Sequence, residues 1–273
     1  FATVHTAFNH PIVVAKQLAT LDQMSGGRLG LNVVAGWNKP EYDAFGVDLP
    51  SDHSDRYAMA QEWFDYVQKL WTEDSAFDWT GDFYQGKGVY SLPHPIQPKM
   101  PIINAAGSEE GRVFAMRNAD FLFTPVFDFD QAKATVTDIT ERASSVNRQV
   151  DVLTLCTVVC RPTQQEAEDY LHWYADEQAE WGAVDNLMTL QGMHAQSFTP
   201  EALALYRDRM AAGHGGFPLV GTPDTIADLL EKLSETGIAG TTLAFVDYAK
   251  EFPYFRQEVL PLLEAKGLRQ PVS

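Results

Sequence analysis

The chain has 273 residues, 45% of them hydrophobic, with 20 Lys+Arg against 37 Asp+Glu and a formal net charge of −17. That is enough apolar material for a large core, which excludes a disordered chain. The acidic balance argues against a nucleic-acid or anionic-membrane partner, since both need clustered Lys and Arg; an anionic ligand must be held by a few local basic groups and backbone N–H groups.

No hydrophobic run approaches the roughly 20 residues of a membrane span, and no signal peptide is visible, so a cytoplasmic protein is expected. Cys156 and Cys160 share one β-rich run, VLTLCTVVC. Four residues of strand cover roughly 13 Å, and a disulfide needs Cα atoms within about 7 Å. Two reduced thiols filling the core are expected.

In chain order the pattern is alternation. FATVHTAF (1–8) reads as a strand, and PIVVAKQLATLDQMSGG (11–27) as a helix opened by Pro11 and closed by Gly26-Gly27. RLGLNVVAG (28–36) is an apolar strand of the fully buried kind, followed by a long loop over 37–54. DRYAMAQEWFDYVQKLWTE (55–73) has apolar residues at helical spacing, and FDWTGDFYQGKGVY (77–90) reads as a small hairpin. MPIINAAG (100–107) is a buried strand, SEEGRVFAMRNA (108–119) a helix, DFLFTPVF (120–127) a strand and 129–146 a helix. DVLTLCTVVC (151–160) is a strand and 163–181 a helix; residues 182–216 are irregular, with helical pieces and the cluster AGHGG. A helix capped by Thr222 ahead of Pro223, a last strand GTTLAFVDY (240–248) and a last helix over 252–267 complete the chain.

About six strands, each followed by a helix, imply a parallel sheet covered by helices. A doubly wound sheet and a (β/α)8 barrel both satisfy that pattern; the barrel needs eight units. A chain that opens at Phe1 within a strand fits a barrel whose first two βα units lie outside this sequence. An open sheet needs no missing piece, so on the alternation alone it stands slightly ahead; the barrel reading makes 1–273 a single partial domain with insertions near 36–53, 77–97 and 182–218.

Ligands of parallel α/β folds bind at the carboxyl ends of the strands. The strongest local signal there is Ala106 through Arg112, a strand end, a glycine turn at Gly107 and a helix start at Ser108. Free N–H groups and the Ser108 hydroxyl make an anion site, though Ser108 also suits a plain N-cap. Arg56 and Tyr57, in DHSDRY, offer a guanidinium fork and a phenol to a phosphate, or a local ion pair on an acidic helix start. His5 is the best placed histidine; His194 and His214 lie in the irregular stretch, which reads as a mobile lid or a surface excursion. Asp128 or Asp130 with Asp247 would be the carboxylate pair of a barrel hydrolase. No defensible metal-ligand spacing is found, so no metal is expected.

Four segments in order, SGGRLGLNVVAGWNKPEYDAFGV, DHSDRYAMAQEWFDYVQKLW, NAAGSEEGRVFAMRNADFLF and LVGTPDTIADLL, resemble the bacterial-luciferase-like flavin-dependent monooxygenases. The likeness runs over about residues 5–266 and is strongest to the branch acting on alkanesulfonates, sulfones and pyrimidine rings. It implies a (β/α)8 TIM barrel, with the first visible strand third of eight. It also implies reduced FMN as cosubstrate, a separate flavin reductase, O2 and a small organic substrate, in a homo-oligomer. By resemblance, Asn32 is the flavin-contacting asparagine, Glu41 the glutamate that follows it, Arg56 and Tyr57 the pair that meets the flavin, and Ser108 with Gly107 the phosphate turn. His5 is the residue expected to handle protons.

Alkanesulfonate members carry an arginine and a histidine where this chain has Leu155 and Thr157, and a tryptophan where it has Pro125. A sulfonate is a fixed anion that wants cationic partners, so a neutral sulfone or nitrogen heterocycle is the better expectation. The alternatives are a deazaflavin-dependent dehydrogenase on the same barrel and a flavin-binding barrel without turnover.

Overall fold

Short apolar strands and capped helices alternate along the chain in a computed structural model that describes residues 1–192 and 199–271. The chain divides into two compact units, 1–122 with 142–150, and 123–141 with 151–273.

The first unit runs β1 (Ala2–His5), α1 (Pro11–Ser25), β2 (Leu31–Val34), α2 (Lys39–Ala44), α3 (His53–Thr72), β3 (Phe77–Thr80), β4 (Gln85–Val89), β5 (Ile102–Ala105), α4 (Glu109–Asn118) and β6 (Phe121–Phe123). β1 pairs with β2 and β2 with β5, all parallel, while β3 and β4 form the expected antiparallel hairpin. The register sets Thr3 beside Asn32, His5 beside Val34, Asn32 beside Ile103 and Val33 beside Asn104. Because side chains alternate with period two, Leu31, Val33, Ile102 and Asn104 share one face and are buried. His5 and Asn32 lie on the other, more open face.

α1 and α3 supply much of this unit's core, through Val14 and Leu18 and through Trp63, Phe64, Val67 and Leu70. Burying each such side chain stabilises by about 1.5–3 kcal/mol. Two indoles bind the layer together: Trp63 Nε1 donates to Asn9 O at 2.7 Å and Trp71 Nε1 to Ala15 O at 3.0 Å. The helix limits follow from their caps. Pro11 opens α1 and Gly26, at φ +67°, closes it in the left-handed region. Asp52 accepts from Ser54 N at the start of α3, and Ser108 from Gly111 N at the start of α4.

The second unit contains α5 (Phe129–Ser145), which crosses into the first, then β7 (Asp151–Cys160), α6 (Gln164–His172), a π-helical turn over Trp173–Glu177, α7 (Trp181–Leu190) and α8 (Pro200–Gly213). β8 (Phe217–Gly221), α9 (Pro223–Glu235), β9 (Gly240–Ala244), α10 (Tyr248–Glu258) and α11 (Leu260–Ala265) follow. β7 pairs in parallel with β8 along Cys156–Cys160 and with β9 along Leu153–Thr157. Thr222 caps α9 as expected, accepting from Thr225 N at 3.3 Å.

Four details differ from the sequence reading. The loop over 37–54 contains α2, six residues with Pro40 in its first turn. The single helix expected over 163–181 is α6 followed by the π-helical turn, with α7 already starting at Trp181, while the helical pieces expected in 182–216 are α7 and α8 among the described residues. FPLVG is a strand, β8, that the alternation did not reveal. The last helix is two, interrupted at Val259 ahead of Pro261. No helix among the described residues is long and apolar enough to cross a membrane.

Candidate functional site

All seven candidate residues, His5, Asn32, Glu41, Arg56, Tyr57, Gly107 and Ser108, fall in the first unit. They sit where β1, β2 and β5 end and where α2, α3 and α4 begin.

At the end of β1, His5 Nδ1 lies 2.8 Å from Tyr42 Oη. Tyr42 is 0% exposed, and its ring stacks on Phe8 with centroids 4.1 Å apart. Gly36, at φ +110°, makes this possible, because a Cβ there would collide with the Tyr42 hydroxyl. Burial lowers the His5 pKa, opposed by Glu41. Burial, aided by Glu41 and opposed by Arg56, pushes the Tyr42 phenol up to about 12. Both rings are therefore neutral near pH 7.

At the end of β5, Asn104 is fully buried and donates through Nδ2 to Val33 O at 2.8 Å. The Tyr57 hydroxyl interacts with the side chains of Ser108 and Asn104; burial is the largest influence on its pKa and raises it, against the lowering effect of Ser108 and Arg56. Gly111 has no room for a Cβ because Tyr57 Oη and Ala106 Cβ are already there. Arg56 is 8% exposed, and among the described residues its guanidinium makes no hydrogen bond. A Cβ built on Gly107 would meet nothing within 4 Å. Of the two acids in the first turn of α4, Glu109 is paired with Arg142. The Tyr57 and Ser108 hydroxyls thus lie together at the N-terminus of α4, with the charge of Arg56 near enough to act on the phenol, a donor set suited to an oxyanion.

Asn32 Nδ2 donates to Thr3 Oγ1 at 3.3 Å, while its buried Oδ1 has no hydrogen-bond partner among the described residues. Leaving such an acceptor unpaired costs about 1–3 kcal/mol, so the position suits a ligand N–H donor. Asn32 shares its sheet face with His5, one strand away, and no described contact joins it to the Tyr57–Ser108 cluster. Glu41 is exposed on α2 and reaches His5 and Tyr42 only through its charge. A groove of about 540 Å³ between α3 and α4 is lined by Tyr57 together with Glu62, Asp65, Asp82, Glu109 and Glu110. Among the described residues Arg117 is the one cation of that lining, and neither Arg56 nor Asn32 belongs to it.

The structure removes several other candidates. Asp128 accepts from Gln131 N at the start of α5, and Asp247 accepts from Ala249 N and Lys250 N at the start of α10. Each is a helix cap, a structural role that accounts for both acids without a hydrolase. His214 is the left-handed cap that ends α8, at φ +55°. His194 lies outside the described residues. Thr157 Oγ1 donates to Gly213 O at 3.2 Å, and Leu155 approaches Gly216. Cys156 and Cys160 are free and buried, and burial pushes each thiol up to about 11.

Two residues of the site escaped the sequence reading. Asn104 carried one signal, a lone amide in the apolar run MPIINAAG just ahead of the glycine turn. Tyr42 gave no signal, since its partner is 37 residues away.

Comparison with known proteins places the chain. The family model for luciferase-like monooxygenases matches residues 1–240, and the chain belongs to this family. It is 33% identical over 264 residues to an FMNH2-dependent dimethylsulfone monooxygenase of Pseudomonas putida, covering 93% of this chain and 70% of that protein. It is 30% identical over 286 residues to pyrimidine monooxygenase RutA of a Bradyrhizobium species, covering 98% of this chain and 76% of that protein. The crystal structure of riboflavin lyase RcaE superimposes with a TM-score of 0.86 at 24% identity, over 98% of this chain and 70% of that one. The fold is thus the luciferase-like α/β barrel type that the four sequence segments implied.

Proposed function

We propose that this chain is the oxygenating component of a two-component system, a monooxygenase that takes reduced FMN from a separate flavin reductase and O2 from solution. The observation that carries the proposal is the Tyr57 hydroxyl lodged against Gly111 beside the Ser108 cap at the start of α4, within the field of Arg56.

The residues present fit FMN. Among the described residues the buried Arg56 guanidinium makes no hydrogen bond and Asn32 Oδ1 lacks a donor, and Gly107 leaves open space at the helix start. Arg56, Tyr57, Ser108 and the backbone N–H groups after Gly107 would hold the phosphate tail; Asn32 would accept from a ring N–H. Bound reduced FMN supplies the reducing electrons and the activation of O2. Glu41 tunes the charge around His5 and Tyr42, and His5 is the side chain that faces the reacting molecules.

The substrate proposed is small and neutral, a sulfone or a nitrogen heterocycle. By the resemblance, Leu155 and Thr157 stand where sulfonate-acting members carry an arginine and a histidine, and Thr157 is engaged with Gly213. A homo-oligomer of such barrels is part of the same proposal.

The test is equilibrium titration of the chain with FMN and reduced FMN, followed by oxygen uptake with a generic flavin reductase and a panel of sulfones and heterocycles. Saturable flavin binding with substrate-dependent oxygen consumption is expected. Absence of flavin binding overturns the proposal; binding of a deazaflavin with hydride transfer and no oxygen uptake replaces it.

A further inference from the structure

We infer that Tyr42 is a positioning residue that locks His5 in the tautomer carrying its proton on Nε2, so that His5 works as a neutral hydrogen-bond donor. The inference rests on the reading that His5 faces the reacting molecules, but its first test does not depend on flavin.

The argument is an accounting of one buried proton. Tyr42 is 0% exposed, and its hydroxyl meets a single hydrogen-bonding atom among the described residues, His5 Nδ1 at 2.8 Å. If Nδ1 carried the proton and donated to Oη, the phenolic O–H would have no acceptor in a dry pocket. If Oη–H donates to Nδ1, both atoms are satisfied and the ring proton must sit on Nε2. The second arrangement wins because an unpaired buried donor is the costlier state.

The surroundings make the lock rigid. Phe8 stacks on Tyr42 with ring planes 17° apart and lies 5.6 Å from the His5 ring. Gly36 closes over the hydroxyl so tightly that a Cβ cannot be added. The charged groups that reach the pair are Glu41 on α2, which acts on both rings, and Arg56 on α3, which acts on Tyr42. Protonating His5 on Nδ1 would force the phenolic proton to turn away into the same dry pocket. Loss of solvent and the Tyr42 bond therefore both hold the ring neutral.

The chemical consequence is a preference about substrate. An Nε2–H presents a donor and no basic lone pair, so it complements an oxygen acceptor on the substrate, a sulfonyl or ring carbonyl oxygen. It does not serve as a general base at that atom.

The test is nitrogen-15 NMR of histidine-labelled chain. One of the seven histidines is assigned to His5 by its disappearance in His5→Gln. The expected wild-type spectrum has an unprotonated Nδ1 and a protonated Nε2 for His5 at neutral pH. Tyr42→Phe, which keeps the stacking ring, is expected to release a mixture of tautomers and to raise the titration midpoint of His5. A wild-type ring protonated on Nδ1, or an unchanged tautomer in Tyr42→Phe, overturns the inference. Should Tyr42→Phe fail to fold, the wild-type spectrum decides alone. Flavin titration of the same samples tests the proposed function separately, so the two readings fail independently.

Discussion

The Tyr57 hydroxyl occupies the space into which a side chain at Gly111 would grow. Gly111 is therefore the residue that lets the phenol reach the start of α4, where Ser108 and Asn104 meet it. Within a helix, Gly→Ala ordinarily gains up to about 1 kcal/mol from lower backbone entropy. Overpacking a filled site costs about 1–3 kcal/mol. At this position the second effect is the larger, because Tyr57 and Ala106 both stand within contact distance. Gly111→Ala is expected to lower the urea midpoint and to weaken FMN binding together. A stabilised variant with unchanged affinity would show that Tyr57 moves aside freely and takes no part in the site.

Arg56 and Ser108 should separate in the same titration. Removing a charged hydrogen-bond donor costs about 1.5–3 kcal/mol, so Arg56→Ala is expected to lose roughly ten- to a hundredfold in FMN affinity. Ser108→Ala should lose less, because backbone N–H groups remain at the helix start. It should also destabilise the chain by about 1 kcal/mol through the lost cap on Gly111 N. A greater affinity loss for Ser108→Ala than for Arg56→Ala would contradict this division of labour.

What the sequence made legible was local. Pro11 and Gly26 bound α1, Thr222 starts α9, and Ser108 starts α4, because each acts on N–H groups within a few residues. α2 was hidden because six residues holding Pro40 carry too little periodicity to stand out from a loop. β8 was hidden by Pro218 and the preceding glycines, which read as turn residues. Tyr42 illustrates the deeper limit: its role is set by a contact with His5 across 37 residues, and such pairing belongs to the packing. Asp128 and Asp247 were ambiguous for the opposite reason, since a helix cap and a catalytic carboxylate look alike in one dimension.

Asn104 supplies a prediction about stability with a functional edge. Its Nδ2 satisfies Val33 O inside the sheet, and its Oδ1 has no hydrogen-bond partner among the described residues. Asn104→Ala removes a donor and opens a small cavity, and the buried Val33 carbonyl is left short of one bond. A loss of about 1–3 kcal/mol is expected by urea denaturation. FMN binding should fall as well, since Tyr57 loses one of its two side-chain neighbours at the hydroxyl. A variant as stable as wild type, with intact binding, would assign Asn104 no part in holding Tyr57.

The pH dependence of stability follows from rings that burial keeps neutral. Tyr42 and Tyr84 are held protonated up to about 12 against an ordinary value of 10.0, mainly by desolvation. Between those values the unfolded phenols have released their protons and the folded ones have not, so the unfolded chain binds fewer protons. The stability present below pH 10 is therefore lost as pH rises through 12. His5 behaves in the opposite sense. Its pKa is lowered from 6.5, so on acidification the unfolded ring takes up a proton before the folded ring does. Its contribution is full above 6.5 and declines as pH falls through the folded value. Urea midpoints measured across pH for wild type and Tyr42→Phe isolate one ring from the rest. The variant should show a shallower alkaline decline, with Tyr84 accounting for part of what remains, and less loss on the acid side because His5 is freed from its phenol. Identical slopes on both limbs would mean that Tyr42 and His5 are not coupled in the folded chain.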